Sequence, residues 1–265
     1  MNLSLFDRAR GFVSQKATKR MLQMAGEGKT EELASLFRTI AGFAPAKYHR
    51  ESLALLADMI EADDPFFGFF RRIAREASPK CLEKLIQNLI VNFMTLGRGI
   101  RDRKEKELGV HLPNFLVISP TMKCNLSCRG CYAGQYDTSE ELSFDELDAI
   151  LTEAKELGMY FFTFTGGEAF TRRDLPELWK KHGDCIFQVY TNGTLLDDDM
   201  VRTLADLGNV YPMVSVEGGV RETDDRRGTG TYDAVTAAYD RMKRAGMIFG
   251  FSATYTNASA PYLTS

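Results

Sequence analysis

Three of the chain's five cysteines lie within eight residues, at Cys124, Cys128 and Cys131. Clustered thiolates are soft ligands, and they bind zinc or iron–sulfur clusters. The first residues include no apolar signal-like stretch and no apolar run reaches membrane-spanning length, so we expect a cytoplasmic protein. Cytoplasmic thiols stay reduced, so clustered cysteines there hold metal more often than they form disulfides. The C-x3-C-x2-C segment is therefore a predicted metal site.

Three kinds of site compete for these cysteines. A disulfide knot is disfavoured by the compartment and by the odd number of cysteines. A ferredoxin-type cluster uses four thiolates in another spacing. A structural zinc site needs a fourth ligand, and none of the candidates has finger spacing. What remains is an iron–sulfur cluster held by three thiolates, with one iron open to a non-protein ligand. The candidates for the fourth zinc ligand are Cys185, His49, His111 and His182.

The spacing of apolar residues along the chain changes near residue 110. Apolar residues in 1–110 recur every three or four positions, which predicts an all-helical N-terminal domain. In 111–265, short runs rich in β-branched and aromatic residues alternate with helical segments. The predicted strands are 115–121, 159–167, 186–193, 210–218 and 248–256.

Strands that alternate with helices pair in parallel through right-handed crossovers. We therefore predict an α/β fold, a partial parallel barrel of the (β/α)6 type, for residues 111–265. Capping-box spacing of Ser143 and Glu146 opens one helix, and acids from Asp197 open another. Because five strand candidates are present and no sixth, we expect the chain to be truncated before the last strand.

Unusual residues follow each predicted strand at its carboxyl end. The cysteine segment follows the first strand, Thr165-Gly166-Gly167-Glu168 the second and Thr191-Asn192-Gly193 the third. Ser215 and Glu217 lie at the end of the fourth. In parallel α/β barrels, chemistry gathers at this edge of the sheet. The four strand ends therefore predict one site.

This combination of motifs resembles the radical S-adenosylmethionine (radical SAM) enzymes, whose signature is C-x3-C-x2-C. The resemblance covers about residues 113–256, with the motifs in order and each beside a predicted strand. It is closest to members with a further cysteine-rich, SPASM-like C-terminal domain. The matching segments are CNLSCRGC (124–131), TGGEAF (165–170), YTNGTLL (190–196), VSVEG (214–218) and DDRRGTGTYD (224–233).

The resemblance implies that the three cysteines bind three irons of a [4Fe–4S] cluster, while S-adenosylmethionine chelates the fourth iron. In that family the reduced cluster cleaves S-adenosylmethionine to a 5′-deoxyadenosyl radical, which abstracts hydrogen from a substrate carbon. The cofactors carry this chemistry and the protein orients them. An external one-electron donor of the flavodoxin or ferredoxin type is implied as a partner. The substrate, a peptide, lipid or cofactor precursor, stays undetermined.

The resemblance also implies cofactor contacts at the other motifs. Gly166-Gly167-Glu168 would hold the methionine amino group, and Ser215 corresponds to a position near the ribose. Arg227 falls at the arginine of a D-x-x-R-G pattern and would pair with the cofactor carboxylate, with Arg226 as the alternative register.

Two further positions keep alternative interpretations. Asn192 either lies near the cofactor or caps a turn, and Tyr132 either frames the adenine or excludes water. The chain departs from the family pattern at Gly130, where many members carry an aromatic residue, and at Ala169, where a proline is usual.

A second hypothesis is a non-catalytic iron–sulfur or zinc module used for assembly or sensing. No dense basic cluster alternates with aromatic residues, which excludes a nucleic-acid module, and the net charge is −3. The segment 64–76, with phenylalanines beside arginines, would suit peripheral membrane contact, but a buried core helix is favoured. Cys81 and Cys185 are predicted to be packed thiols.

Overall fold

The structure is a computed structural model that describes residues 19–21, 23–43, 47–137, 139, 141–256 and 259–260. The first 18 residues, the His49 side chain and the last five residues lie outside this description. Two compact units meet in the chain between Ala77 and Ser78. The domain boundary predicted at residue 110 differs from this division, because the helices from Pro79 to Leu108 belong to the unit that contains the sheet.

The first unit is helical, as the spacing of apolar residues predicts. Its helices are α1 (Thr30–Phe43), α2 (Lys47–Glu61) and α3 (Pro65–Glu76). In α3, Phe67 is buried, whereas Phe69 and Phe70 are 56% and 41% exposed, so the predicted burial of this segment is only partial. Among the described helices, none is long and apolar enough to cross a membrane.

The second unit begins with a continuous helical stretch. It consists of α4 (Pro79–Leu85), a π-helical segment (Ile86–Gly97) and α5 (Arg98–Leu108). Asn88 Nδ2 donates hydrogen bonds to the carbonyls of Gly183 and Cys185, at 3.1 and 2.8 Å, just before a strand begins. These bonds satisfy backbone groups at the amino edge of the sheet. The stretch therefore lies at the edge opposite the predicted site.

Five parallel strands form one sheet in the order β1-β2-β3-β4-β5, which confirms the predicted α/β fold. They are shorter than the predicted segments. The strands are β1 (Leu116–Ile118), β2 (Phe161–Phe164), β3 (Ile186–Thr191), β4 (Val210–Ser215) and β5 (Gly250–Ser252). The helices between them are α6 (Phe144–Glu156), α7 (Leu175–Lys181), α8 (Asp198–Leu207), α9 (Val220–Arg227) and α10 (Thr231–Arg244).

The apolar face of the sheet forms the core with the helices. Phe162 of β2 pairs in register with Phe187 of β3, and both rings are fully buried. Trp179 of α7 packs against Phe187 and Phe164 in the same cluster. Cys185 and Cys81 are buried, as predicted for packed thiols. This core holds the strands in register, so their carboxyl ends lie along one edge.

Helix termini follow the predicted signals. Ser143 and Glu146 form a reciprocal capping box at the start of α6, and the Asp197 side chain accepts from Met200 N at 2.8 Å to cap α8. Helix α8 ends at Gly208, whose φ of 70° is in the left-handed region. Helix α9 was not predicted, because it is short, highly charged and lacks apolar periodicity.

Candidate functional site

One cavity at the carboxyl edge of the sheet is lined by all ten residues that the resemblance assigned to the cluster or the cofactor. Its volume is about 380 Å³, within the range of small-molecule pockets. The ten assigned residues that line it are Cys124, Cys128, Cys131, Tyr132, Gly166, Gly167, Glu168, Asn192, Ser215 and Arg227. Thr165 and Thr191 of the strand-end motifs and Arg226, the alternative arginine, also line it. The lining residues that the sequence did not assign are Gly130, Tyr190, Ser252 and Thr254.

The cysteine segment is a loop between β1 and α6. Its three cysteines are free thiols, and all three line the cavity. Cys131 N donates to the Cys128 carbonyl at 3.2 Å, and Gly130 between them has a φ of 70°. A tight turn of this kind therefore follows Cys128, and glycine provides the left-handed backbone that the turn needs. Three thiols that line one cavity are the type of ligand that an iron–sulfur cluster with one open iron uses.

Cys124 has nitrogen donors close to its sulfur. Leu126 N lies 3.4 Å from Cys124 Sγ, and Asn192 Nδ2 lies 3.8 Å from it. Burial raises the pKa of the Cys124 thiol, while these two donors act to lower it. Hydrogen bonds to cluster sulfurs tune the reduction potential in iron–sulfur proteins. The two N–H groups near Cys124 Sγ are the kind of donor that a metal-bound thiolate accepts.

Asn192 caps a turn, which is one of the two alternatives that the sequence leaves open, and it also lines the cavity. Its Oδ1 accepts from Thr194 N at 3.0 Å and from Thr194 Oγ1 at 2.7 Å, which caps the turn after β3. Its Nδ2 donates to Asn125 Oδ1 at 2.8 Å, within the cysteine loop. The side chain therefore caps a turn and also joins the end of β3 to the cysteine loop at the cavity wall.

Glu168 is fully buried, and its carboxylate accepts three hydrogen bonds from the protein. Oε1 accepts from Thr191 Oγ1 at 2.8 Å and from Phe170 N at 3.1 Å, and Oε2 accepts from Asn192 N at 2.7 Å. Burial raises the pKa of this carboxyl group, against the lowering effect of the three donors. The carboxylate thus ties the end of β2 to the end of β3. Its contact with an amino group of the cofactor stays a prediction.

The two glycines before Glu168 make room for backbone. A Cβ on Gly166, whose φ is 105°, would meet the Thr121 carbonyl oxygen at 2.5 Å. A Cβ on Gly167 would overlap the Lys123 carbonyl and lie 2.6 Å from the Met122 carbonyl carbon. Gly167 N also donates to Thr121 O at 2.9 Å. The structure shows close approach by the start of the cysteine loop. The close approach by a ligand that the sequence predicts stays a prediction.

We expect Gly167→Ala to displace the residues just before Cys124, because the added methyl group meets backbone that cannot move aside. Overpacking of this kind lowers the free energy of unfolding by about 1–3 kcal/mol. Gly134→Ala is the matched control, since its Cβ would meet nothing closer than Cys131 Cβ at 3.9 Å. Urea unfolding of the two iron-free variants measures the difference. Equal stabilities would contradict the close packing inferred at Gly167.

Arg227 binds a carboxylate of the protein itself. Its Nε and Nη2 donate to Glu217 Oε1 at 2.9 and 2.5 Å, and Arg226 Nη1 donates to the same oxygen at 2.6 Å. The sequence placed Glu217 at a strand end but did not predict this pairing. The pairing depends on helix α9, which the sequence pattern does not indicate. This helix places both arginines beside the end of β4. The resemblance implies one arginine for the cofactor carboxylate, either Arg227 or Arg226. Because both line the cavity, both are available for that contact.

Tyr132 lies at the rim of the cavity. It is 61% exposed, and its hydroxyl lies 3.2 Å from Thr165 Oγ1. The side chain therefore reaches from the cysteine loop to the end of β2. Ser215 lines the same cavity at the last position of β4. The contacts of Tyr132 with adenine and of Ser215 with ribose stay predictions.

The described histidine side chains bond elsewhere. His111 Nδ1 lies 2.8 Å from Glu105 Oε1, and His182 Nε2 lies 2.9 Å from Asp148 Oδ1. Cys185, another candidate for a fourth zinc ligand, is buried in the core of the sheet. Within the described part of the chain, none of these three residues lines the cavity of the cysteine loop.

Curated proteins that resemble this chain align over roughly half of it. The chain is 34% identical to Fe-coproporphyrin III synthase of Methanosarcina barkeri, over 57% of this chain and 41% of that protein. It is 28% identical to an AdoMet-dependent heme synthase of the same organism, over 57% and 45%. With the mycofactocin maturase MftC of Mycobacterium tuberculosis it shares 30% identity, over 53% and 37%. The chain thus spans less than half the length of these relatives.

Solved structures and a family model agree with the architecture. SuiB of Streptococcus suis bound to S-adenosylmethionine matches with a TM-score of 0.55 and 19% identity, over 80% of this chain and 48% of that one. At this identity the likeness shows the fold alone. The model of the Radical SAM superfamily matches residues 118–256, more than half of the chain. The chain therefore belongs to the radical SAM superfamily, whose members use a [4Fe–4S] cluster and S-adenosylmethionine.

Proposed function

We propose that this chain carries the cluster- and cofactor-binding part of an enzyme that cleaves S-adenosylmethionine reductively and abstracts hydrogen from a substrate. One observation carries the proposal: all ten residues assigned from the sequence line a single cavity. They come from the cysteine loop after β1, from the ends of β2, β3 and β4, and from helix α9. Strand ends of a parallel sheet are neighbours in any case, but here they bring three thiols, a pair of glycines and two arginines to one cavity. Membership of the superfamily supports the enzymatic reading over a non-catalytic metal module.

In this proposal, Cys124, Cys128 and Cys131 hold three irons, and their loop is fixed from two sides. Asn192 Nδ2 bonds to Asn125, and the backbone around Gly167 packs on residues 121–123. When bound, the cluster and S-adenosylmethionine together supply a 5′-deoxyadenosyl radical. The chain's own residues orient the cofactor in the cavity and keep water from it.

The carboxylate and the amino group of the cofactor's methionine part would lie at different places in the cavity, each beside protein groups of complementary charge. Two guanidinium groups share one buried carboxylate on one side of the cavity, which leaves positive charge for the cofactor carboxylate. On the other side, carbonyl groups of Gly166 and Gly167 would accept from the amino group. Ser215 and Tyr132 would contact the ribose and the adenine.

The substrate and the electron donor are proposed by class. Relatives of this chain are named for porphyrin chemistry, as in Fe-coproporphyrin III synthase, and for peptide chemistry, as in PqqA peptide cyclase. We propose an organic substrate of one of these two classes, with a lipid as the remaining alternative. The reduced cluster would receive its electron from a small donor of the flavodoxin or ferredoxin type in the cytoplasm.

The test is the product of S-adenosylmethionine turnover. The protein is reconstituted anaerobically with iron and sulfide, reduced with dithionite and analysed for 5′-deoxyadenosine and methionine. We expect both products in equal amounts, and neither from a Cys124→Ala variant. An intact cluster that produces neither compound in the presence of S-adenosylmethionine would argue against the proposed reaction.

A further inference from the structure

Glu217 contacts three segments of the chain that meet at the cavity. Its side chain is 2% exposed, and Oε1 accepts from both Arg226 and Arg227 of α9. Oε2 accepts from Thr254 N at 2.7 Å, just after β5. Its own backbone N donates to Thr223 Oγ1 at 3.2 Å, at the middle of α9. One carboxylate thus joins the end of β4, helix α9 and the segment that follows β5.

Helix α9 is joined in turn to the cysteine loop. Arg129, which lies between Cys128 and Cys131, donates its backbone N–H to the Arg226 carbonyl at 2.8 Å. Arg226 therefore makes both contacts. Its side chain donates to Glu217, and its carbonyl accepts from the cysteine loop. Any shift of α9 would reach both the arginines and the backbone between two cysteines.

The two arginines keep donor capacity for a ligand. Each guanidinium has five N–H groups in a fixed plane. Within the described part of the chain, Arg227 directs Nε and Nη2 to Glu217, whereas its Nη1 has no hydrogen-bond partner. Arg226 directs only Nη1 to Glu217. Two guanidinium groups share one carboxylate, so this cluster of three side chains carries one net positive charge.

A counter-ion that served only folding would make a different arrangement. It would pair with one arginine and leave no cation beside the cavity, whereas here both arginines line the cavity and stay 19% and 10% exposed. Arginine is flexible, and a carboxylate that holds its fork in place reduces the entropy lost when a ligand binds.

We propose that Glu217 is a positioning residue, which orients Arg226 and Arg227 as a pair that binds the carboxylate of the cofactor. The identity of that carboxylate rests on the proposed function. Arg226 thereby becomes a second ligand-binding arginine beside Arg227. The proposal requires that loss of Glu217 weakens binding of the carboxylate, although removing a negative charge would by itself strengthen the attraction for an anion.

Binding of two matched ligands tests this requirement. S-adenosylmethionine and decarboxylated S-adenosylmethionine differ only in the carboxylate, and equilibrium dialysis against the reconstituted protein gives both dissociation constants. We expect Glu217→Gln to weaken binding of S-adenosylmethionine about tenfold and to leave the decarboxylated ligand within about twofold. Glu217→Asp should recover part of the loss. Asp225→Asn, which removes an exposed acid from the same helix, should change neither constant.

An equal loss for both ligands, or tighter binding of S-adenosylmethionine to Glu217→Gln, would overturn the proposal. A second measurement needs neither cluster nor cofactor. In the iron-free protein, we expect trypsin to cleave after Arg226 and Arg227 at least about tenfold faster in Glu217→Gln, relative to cleavage after the exposed Arg202. Unchanged cleavage would also overturn it. If the wild-type protein bound neither ligand, the proposed function would fail, while the cleavage rates would still decide whether Glu217 positions the arginines.

Discussion

Replacement of Cys128 by alanine is expected to abolish both the cluster and the cleavage of S-adenosylmethionine. Cys128 lines the cavity together with Cys124 and Cys131, and its carbonyl accepts the hydrogen bond that closes the turn to Cys131. A cluster with three protein thiolates has no spare ligand, so the loss of one leaves two irons without a protein sulfur. Iron and acid-labile sulfide per chain, measured after anaerobic reconstitution, should fall to less than about a tenth of the wild-type values.

Cys81→Ala is the matched control for this experiment. Cys81 is 3% exposed and lies in α4, outside the cavity, so its substitution removes a thiol without touching the loop. We expect this variant to keep the full iron and sulfide content. A Cys128→Ala protein that retained the full complement would show that Cys128 is not a ligand, and the assignment of the three thiols would then be wrong.

The fold could be predicted from the sequence because its local signals agree with each other. Apolar runs such as YFFTF (160–164) lie between a glycine-terminated helix and a Gly-Gly turn, and they form a buried parallel strand. Ser143 and Asp197 cap helices where the spacing places them. The exception is α9, in which six of eight residues are charged, so that no apolar period marks it. The position of α9 comes from contacts with Glu217 and with the cysteine loop.

The membership of the site could be predicted, but the partners of its side chains could not. Parallel strands place their carboxyl ends on one edge, so residues after four strands had to be neighbours. Which carboxylate meets which donor depends on how the side chains of different segments pack together. Glu168 and Arg227 were both assigned to the cofactor, and both have protein partners, at Thr191 and Glu217. These pairs are separated by 23 and 10 residues, and neither spacing is a helix or strand period that a sequence pattern would show.

These partners suggest how the chain prepares the cavity before a cofactor binds. Glu168 joins the ends of β2 and β3, and Glu217 joins the end of β4 to α9. Asn192, at the end of β3, donates to Asn125 Oδ1 of the cysteine loop. Arg129 of the same loop donates its backbone N–H to the Arg226 carbonyl of α9. Two buried carboxylates thus hold the strand ends and the loop in one arrangement, which is the pre-organisation that a binding site needs.

Removal of the Glu168 carboxylate should therefore destabilise the sheet unit as well as the site. Glu168→Ala leaves three buried donors without an acceptor, at Phe170 N, Thr191 Oγ1 and Asn192 N. An unsatisfied buried donor costs about 1–3 kcal/mol, so we expect the free energy of unfolding to fall by about 3 kcal/mol or more. Trp179, the chain's only tryptophan, is buried 5.7 Å from the Phe170 ring, and its fluorescence during urea unfolding reports this region.

Two further variants separate shape from hydrogen bonding at this position. Glu168→Gln keeps the shape but turns an amide NH2 toward one backbone N–H, at Phe170 or at Asn192, so we expect a smaller loss of about 1–3 kcal/mol. Glu177→Ala removes an exposed glutamate from α7 and should stay within about 0.5 kcal/mol of the wild type. If Glu168→Ala unfolded at the same urea concentration as Glu177→Ala, the carboxylate would not hold the strand ends together. Its place in the cavity would then have to be explained by ligand binding alone.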